Sequence, residues 1–468
     1  MAPTLWIDVE DLFEYARANP RPSGIQRVAF ELCQALRRLP PASIDLRFVR
    51  HAGARNSLAV VRWDDVAALY SGLTDTPPPA AAPPAARAPR PRGRVHQFAR
   101  RLSYRLPFGL RHAVNHLARA QIAALLAWGG LARALVRALR APRGRGQPGQ
   151  AVGDAAGFAG VVRAGDWLLV LGAPWGHPHY GALIEALRQR HGMRCALLMY
   201  DLIPLRFPEF CAPDLVRIFR AWVDDILPRC AAIFAISQAT AADTTARLGE
   251  LRGTNPLPVR PLPVRPLPMG TGFGDGPAAA AITARLPPAG SYALIVGTIE
   301  ARKNHLLAFR AWRRLLGELP AGQVPTLVFA GRAGWMVADL MQQIANPDHL
   351  DGRLVIIADP TDAEISALYQ GCLFTLFPSY AEGWGLPVSE SLAFGKPCLC
   401  ANRTSLPEAG AGLARLFDPD DLNDLVAQVR ALITSPDDLA DWTAQVRARF
   451  QPVSWDATAR ALIEGLPA

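Results

Sequence analysis

Short apolar runs alternate with helical patterns along most of this chain, and that alternation restricts it to one fold class. In the second half, Ala293–Val296, Thr326–Ala330, Arg353–Ile357, Leu373–Phe377 and Cys398–Ala401 read as buried strands, each followed by a helix. Ala308, Ala311, Trp312 and Leu315, at i, i+3, i+4 and i+7, show the helical period. The first half opens with Thr4–Val9, a helical pattern through Leu36, a strand at Ile44–Val49 and a short helix at Trp63–Tyr70. It resumes with strands at Trp167–Leu171, Cys195–Tyr200 and Ala232–Ile236 and helices at Tyr180–His191, Pro213–Leu227 and Thr240–Leu248. Such alternation implies parallel sheets covered by helices. At 468 residues the chain exceeds what one core organises. The expectation is an α/β protein with two Rossmann-like domains facing each other across a cleft.

Two stretches interrupt the pattern. Between Thr76 and Gly153 there are 14 arginines and neither Asp nor Glu. The net charge of +10 therefore belongs to this stretch, and the remainder stands at −4, which argues against a nucleic-acid partner for the body of the protein. Pro77–Arg94 reads as extended linker, His96–Arg140 as helical and Ala141–Gln150 as a second loop, so 76–153 is expected to be a basic helical insert in the N-terminal domain. Its longest uncharged run, Ala120–Ala132, is 13 residues, short of the roughly 20 that span a bilayer. The second interruption is an internal repeat, Pro256-Leu-Pro-Val-Arg, Pro261-Leu-Pro-Val-Arg and Pro266-Leu-Pro-Met-Gly. Its proline density blocks helix and interior strand and marks a stiff extended connector. The expected divisions are 1–272, 273–450 and a terminal segment, 451–468. Seven scattered cysteines without zinc or C-x-x-C spacing read as reduced thiols of a cytosolic protein, and Met1–Asp8 lacks signal-peptide character.

Two loops in the second half carry chemistry. In Gly297-Thr298-Ile299-Glu300-Ala301-Arg302-Lys303-Asn304, two adjacent cations stand where a helix begins, a position that the helix macrodipole reserves for anions. An anionic ligand such as a diphosphate resolves the conflict, bound by the dipole and both side chains. Of 50 basic residues only Lys303 and Lys396 are lysine, and a compact ammonium can follow a phosphate where a planar guanidinium does not fit. The second loop is Pro378-Ser379-Tyr380-Ala381-Glu382-Gly383-Trp384-Gly385-Leu386-Pro387-Val388-Ser389-Glu390. Pro387 suits the first turn of a helix, which places Glu390 in that turn and Glu382 in the loop before it. Gly383 and Gly385 allow close backbone approach to a ligand, and paired carboxylates suit the vicinal hydroxyls of a sugar or ribose.

Gly297–Asn304 together with Glu382-x7-Glu390 resembles the retaining glycosyltransferases of family 4, which have the GT-B fold. The likeness extends through Gly331–Trp335, Leu368-Tyr369, Gly395-Lys396-Pro397 and Asn402–Glu408. The resemblance implies a nucleotide-diphosphate sugar as donor, with no further cofactor and no metal. It implies that Arg302 and Lys303 hold the diphosphate as leaving group and that Glu390 binds the ribose hydroxyls. Glu382 would contact the transferred sugar, and the Gly383–Gly385 backbone, with Trp384, Leu386 and Gly297 around it, would line the donor site. Lys396 is expected to serve a helix C-terminus. The Trp455 segment resembles the family's last helix, which crosses back to the N-terminal domain.

In the first half, Ser23-Gly24-Ile25-Gln26-Arg27-Val28, Gly172-Ala173-Pro174-Trp175 and Tyr200-Asp201-Leu202-Ile203-Pro204 resemble members that build mannose- or rhamnose-containing bacterial polysaccharides such as O-antigen. That likeness points to a GDP-sugar donor and to a glycan or lipid-linked oligosaccharide acceptor near Gly24, Tyr200, Asp201 and Ser237. Many members carry His-Asp where this chain has Tyr200-Asp201, and Asp201 is the candidate acceptor contact. Ser237-x-x-Thr240 also fits an ordinary helix N-cap. His177-Pro-His179 lacks the carboxylate or cysteine neighbours of a metal site, and Gly270-x-Gly272-x-Gly274-x-Gly276 fails dinucleotide-loop spacing. The rivals are a nucleotide-sugar 2-epimerase, against which Glu382-x7-Glu390 speaks, and a membrane-associated scaffold without catalysis. A lipid-linked acceptor would explain an arginine-rich insert at the inner face of the cytoplasmic membrane, each basic residue adding on the order of 1 kcal/mol to binding. Co-sedimentation should be strong with anionic liposomes and fall with salt; equal binding to neutral vesicles, or none, removes the idea.

Overall fold

Two strands buried on both faces, β1 (Thr4–Asp8) and β8 (Tyr292–Val296), sit inside two parallel sheets and explain the continuous apolar runs of the sequence. In β1, Leu5 and Ile7 enter one core while Trp6 enters another on the opposite face. The computed structural model describes residues 3–19, 21–40, 44–52, 57–74, 155–177, 179–252, 262–272 and 285–467. The expected basic insert, its linkers, and the first part of the proline repeat lie outside the described residues.

Among the described residues, the first sheet holds β1, β2 (Asp45–His51), β3 (Leu58–Val61), β4 (Trp167–Val170), β5 (Arg194–Met199), β6 (Ala232–Ala235) and β7 (Val264–Pro266), in the order β3-β2-β1-β4-β5-β6-β7. All its pairings are parallel except β2 with β3. The second sheet adds β9 (Thr326–Ala330), β10 (Leu354–Ile357), β11 (Thr375–Phe377), β12 (Cys398–Ala401) and β13 (Arg415–Phe417) to β8, in the order β10-β9-β8-β11-β12-β13, all parallel. In both sheets the chain winds outward on one side of the central strand and then restarts on the other. The reversals fall between β1 and β4 and between β8 and β11, the kind of crevice where open α/β sheets bind ligands.

Three strands escape the sequence pattern because each is short and at a sheet edge: β3, β7 and β13. The last part of the proline repeat is not merely a connector, since Val264–Pro266 is the edge strand β7. Proline is compatible with that place because an edge strand leaves one side of its backbone unpaired. The chain then enters the second lobe and returns. The last helix, Trp455–Gly465, packs on the helix Gly24–Arg38, and Trp455, Ala459 and Leu462 join the core that also holds Leu5, Ile7, Leu267 and Met269. Thr458 Oγ1 donates to the Pro268 carbonyl at 2.6 Å, and the Arg38 guanidinium pairs with Asp456 at 2.7 Å. Among the described residues, no helix is long and apolar enough to cross a membrane.

Trp455 is 6% exposed and anchors the returning helix. Trp455→Ala should cost about 3–5 kcal/mol of stability, read as a lowered denaturant midpoint. A change under about 1 kcal/mol would mean that the helix contributes little to holding the first lobe.

Candidate active site

The loop after β8 is shaped by backbone geometry before any charge is considered. Gly297 adopts φ +139°, and a Cβ there would stand 3.3 Å from Lys303 Cε, so the lysine stem lies directly over it. Ala301–Lys303 form a single tight turn, and Asn304, left-handed at φ 54°, donates from its side chain to the Pro419 carbonyl at 3.1 Å. The 14-residue helix His305–Glu318 begins at the next residue. Arg302 and Lys303 therefore stand at the amino end of a long helix, beside the β8/β11 reversal.

The loop after β11 brings their counter-charge. Glu382 receives Lys303 Nζ on Oε1 and Arg302 Nη1 on Oε2, both at 2.9 Å. Arg302 also pairs with Glu300 at 2.6 Å and donates to the Ala381 carbonyl. Burial pushes the Glu382 carboxyl upward, but Arg302 and then Lys303 outweigh it and hold it at about 2. The same pairings raise Arg302 against its own burial. The loop itself is tied from behind: the Glu382 N–H donates to Thr404 Oγ1 at 2.9 Å, and Ser405 Oγ reaches the carbonyls of Glu382 and Trp384 at 2.9 and 2.8 Å.

One expected placement changes, and Tyr200 and Ser237 are bonded within the first lobe. Gly385, at φ +105°, ends the loop, and the helix Leu386–Ala393 starts one residue before Pro387, so Glu390 lies in the second turn rather than the first. It is 3% exposed, takes Arg27 Nη1 on Oε1 at 3.1 Å and accepts from the Tyr369 hydroxyl on Oε2 at 3.0 Å. Tyr200 does not offer its hydroxyl to the cleft, because that group donates to the Leu171 carbonyl at 2.5 Å and lies 3.4 Å from the Ile25 carbonyl, under the first lobe's crevice. Ser237 is the helix cap: fully buried, it accepts from the Thr240 N–H and donates to Thr240 Oγ1, both at 3.0 Å.

Gly383, Asp201, Gly24 and Trp384 lie where the two lobes meet. A Cβ on Gly383 would stand 2.2 Å from the Tyr200 carbonyl and 3.2 Å from Asp201 Cβ, so only glycine lets this loop touch the first lobe. Asp201 accepts from the Ile203 N–H at 2.9 Å; burial raises its carboxyl, with the Arg302 charge opposing. Gly24 opens its helix 3.9 Å, measured from a notional Cβ, from Leu386 Cδ1. Trp384 packs against the cores of both lobes. Lys396 does serve a helix end, but that of Asp362–Gly371, by donating to the Cys372 carbonyl at 2.8 Å. His177 packs edge-on against His51, which pairs with Asp8 at 2.9 Å. Gly270 and Gly272 lie beyond β7, and Gly274 and Gly276 are outside the described residues.

The profile described as "Glycosyl transferases group 1" matches residues 284–449, from the approach to β8 to the end of the helix Pro436–Arg449. This segment is a glycosyltransferase group 1 domain. The serotype-specific mannosyltransferase WbdA of Escherichia coli is 24% identical over 298 residues, covering 62% of this chain and 35% of its own length. The O-antigen chain mannosyltransferase B of Escherichia coli is 30% identical over 165 residues, 35% of this chain and 42% of that protein. The chain thus spans about a third to two fifths of these relatives. The crystal structure of TarM overlays 67% of this chain and 57% of its own with a TM-score of 0.49 at 9% identity. The group 1 domain contains every residue of the Glu382 and Glu390 clusters except Arg27, which comes from the first lobe.

Sequence reading missed two residues that the fold brings to the site. Arg27 was visible only as the end of a glycine-containing motif; nothing local announces its partner 363 positions away. Asp11 follows β1 at the first lobe's reversal, half-buried, accepting from Gln26 Nε2 at 2.8 Å, and among the described residues no cation pairs with it. Burial raises its carboxyl to about 6, with the Gln26 and Ala173 hydrogen bonds opposing. Above its ordinary value of 3.8 the unfolded chain has released this proton, while the folded state keeps it until about 6. Stability contributed here therefore falls as pH rises through that window. Asp11→Asn should melt higher than the parent above pH 6, by about 2 °C or more, with the gap shrinking toward pH 4. A gap independent of pH would show that the ionised carboxylate is not destabilising.

Proposed function

We propose that this chain transfers a hexose, mannose or a related sugar, from a nucleotide-diphosphate donor to a glycan or lipid-linked oligosaccharide in polysaccharide assembly. The donor is a GDP-sugar, and transfer retains the anomeric configuration without a metal ion. One observation carries the reading: Arg302 and Lys303 share a single buried carboxylate at the amino end of a 14-residue helix beside a sheet reversal. The names of the two mannosyltransferase relatives support the choice of sugar.

In this mechanism the diphosphate lies on Arg302, Lys303 and the first N–H groups of the helix. Negative charge grows on the leaving phosphate as the anomeric bond breaks, and donors already fixed in position stabilise it without reorganising. Glu382 holds both cations at one spacing and keeps lone pairs for a sugar hydroxyl. Glu390 binds the ribose hydroxyls, with Tyr369 and Arg27 fixing its carboxylate. The acceptor hydroxyl attacks the anomeric carbon from the face that the phosphate leaves, and the phosphate takes its proton.

Screening nucleotide sugars for thermal stabilisation identifies the donor, since a ligand of the native state raises the melting temperature. With that donor, Lys303→Ala should lose at least about 100-fold in kcat, more than it changes KM, and Lys303→Arg should fall between. Glu390→Gln should act chiefly on donor KM, and the parent should remain active in excess chelator. Near-parental turnover of folded Lys303→Ala would place the diphosphate elsewhere, and a strict need for added Mg²⁺ or Mn²⁺ would overturn the metal-free site.

A further inference from the structure

Trp335 is the largest side chain left in water among the described residues, at 50% exposure, and it is also firmly held. Its indole N–H donates to the Phe210 carbonyl at 2.9 Å, so a ring from the second lobe is bolted to the first. Phe210 in turn stacks on Tyr380, with centroids 5.4 Å apart and planes 9° from parallel. The Tyr380 N–H donates to the Arg302 carbonyl at 2.9 Å, and Tyr380 stands two residues before Glu382. The loop behind the indole is equally constrained. Ile299 holds it with two backbone hydrogen bonds, donating its N–H to the Arg332 carbonyl and accepting from the Gly334 N–H, both at 2.8 Å. Met336, next to Trp335, is 62% exposed and adopts φ 58°, a left-handed conformation that a methionine takes only where its surroundings impose it.

A half-exposed indole, hydrogen-bonded at its edge and linked through Phe210 and Tyr380 to the Glu382 loop, has few uses. A protein partner needs about 800 Å² on each side, far more than one indole and one methionine provide. A pyranose ring needs one aromatic face: its axial C–H groups make an apolar side that packs on the negatively charged π-face, while its hydroxyls remain in water. Exposed polar residues suited to those hydroxyls lie close by in the chain, Glu209 next to Phe210 on one lobe and Arg332 three positions before Trp335 on the other. We propose that Trp335, with Phe210 and Tyr380 supporting it, is a glycan-binding platform that holds a pyranose of the acceptor chain beyond the residue receiving the sugar. The proposal rests on the transferase reading for the identity of its occupant. It assigns the indole the role of a specificity-determining contact rather than a catalytic one.

The test uses the full chain, its Trp335→Ala and Trp335→Phe variants, and immobilised α-manno-, α-rhamno-, β-gluco- and β-galacto-oligosaccharides of one to five residues. The parent should bind at least one series with affinity that rises with chain length. Trp335→Ala should lose at least about tenfold of that affinity, whereas Trp335→Phe, which keeps a ring but not the N–H bond to Phe210, should stay within about threefold. Unchanged binding by Trp335→Ala overturns the platform. So does equal loss in both variants, which would make Trp335 an interlobe strut, and so does failure of the parent to bind any series. Thermal stabilisation by the nucleotide-sugar panel, measured on all three proteins, separates the two ideas. Its absence in the parent refutes the donor reading, and its retention in the variants shows that a lost glycan affinity is not misfolding.

Discussion

The carboxylate of Glu382 is the point on which the site depends. Arg302 and Lys303 are adjacent cations, both largely buried, at a helix end whose dipole repels them. Left alone, two such charges would turn to solvent or lose their fixed spacing. Glu382 takes one on each oxygen, Glu300 neutralises the other side of Arg302, and the four charges balance inside a small volume. Breaking one member of such a buried set leaves the others uncompensated, which is what makes the geometry rigid. The backbone secures the same arrangement independently, through Thr404 and Ser405 behind Glu382 and through Gly297 beneath Lys303.

A second constraint joins the lobes. The Gly383 backbone lies against the Tyr200 carbonyl, Thr240 Oγ1 of the first lobe reaches the Gly383 carbonyl at 3.4 Å, and Trp384 packs on both cores. Arg27 crosses to Glu390, and Glu408 of the second lobe accepts from the Gln238 N–H at 2.8 Å, capping a first-lobe helix with the charge its dipole favours. Polar contacts of this kind are directional and cover little apolar area. They set where the two crevices meet without fusing the cores. The loop after β11 and the loop after β5 therefore touch, so that Asp201, Gly383 and Glu382 form one neighbourhood built from two lobes.

Much of this was legible in advance for a physical reason. Parallel strands buried on both faces leave long apolar runs, and helices between them leave a 3.6-residue period, so both sheets could be read locally. β3, β7 and β13 could not, since short edge strands gain their hydrogen bonds from a neighbour rather than from their own pattern. The loops at 297–304 and 378–390 are conspicuous because they break local rules: paired cations at a helix start, and glycines beside a carboxylate. Where a residue obeys local rules, sequence misleads more easily. Ser237 fits both a substrate contact and a helix cap in sequence, and the fold shows the cap; Tyr200 beside Asp201 reads as a cleft residue, and the fold ties its hydroxyl to the Leu171 carbonyl.

By itself the sequence determined the α/β class, the alternation that builds two sheets, the paired cations Arg302 and Lys303 at a helix start, and the glutamates spaced at 382 and 390. These are properties of neighbours in the chain, carried by periodicity, spacing and residue type. Only the tertiary structure decided the partners: that Glu382 clamps both cations, that Glu390 answers to Arg27 and Tyr369, that half-buried Asp11 has no counter-ion among the described residues, and that Trp335 is fastened to Phe210. Each joins residues far apart in the chain, and the energy of a charge or a ring depends on what surrounds it in space, which no local pattern records.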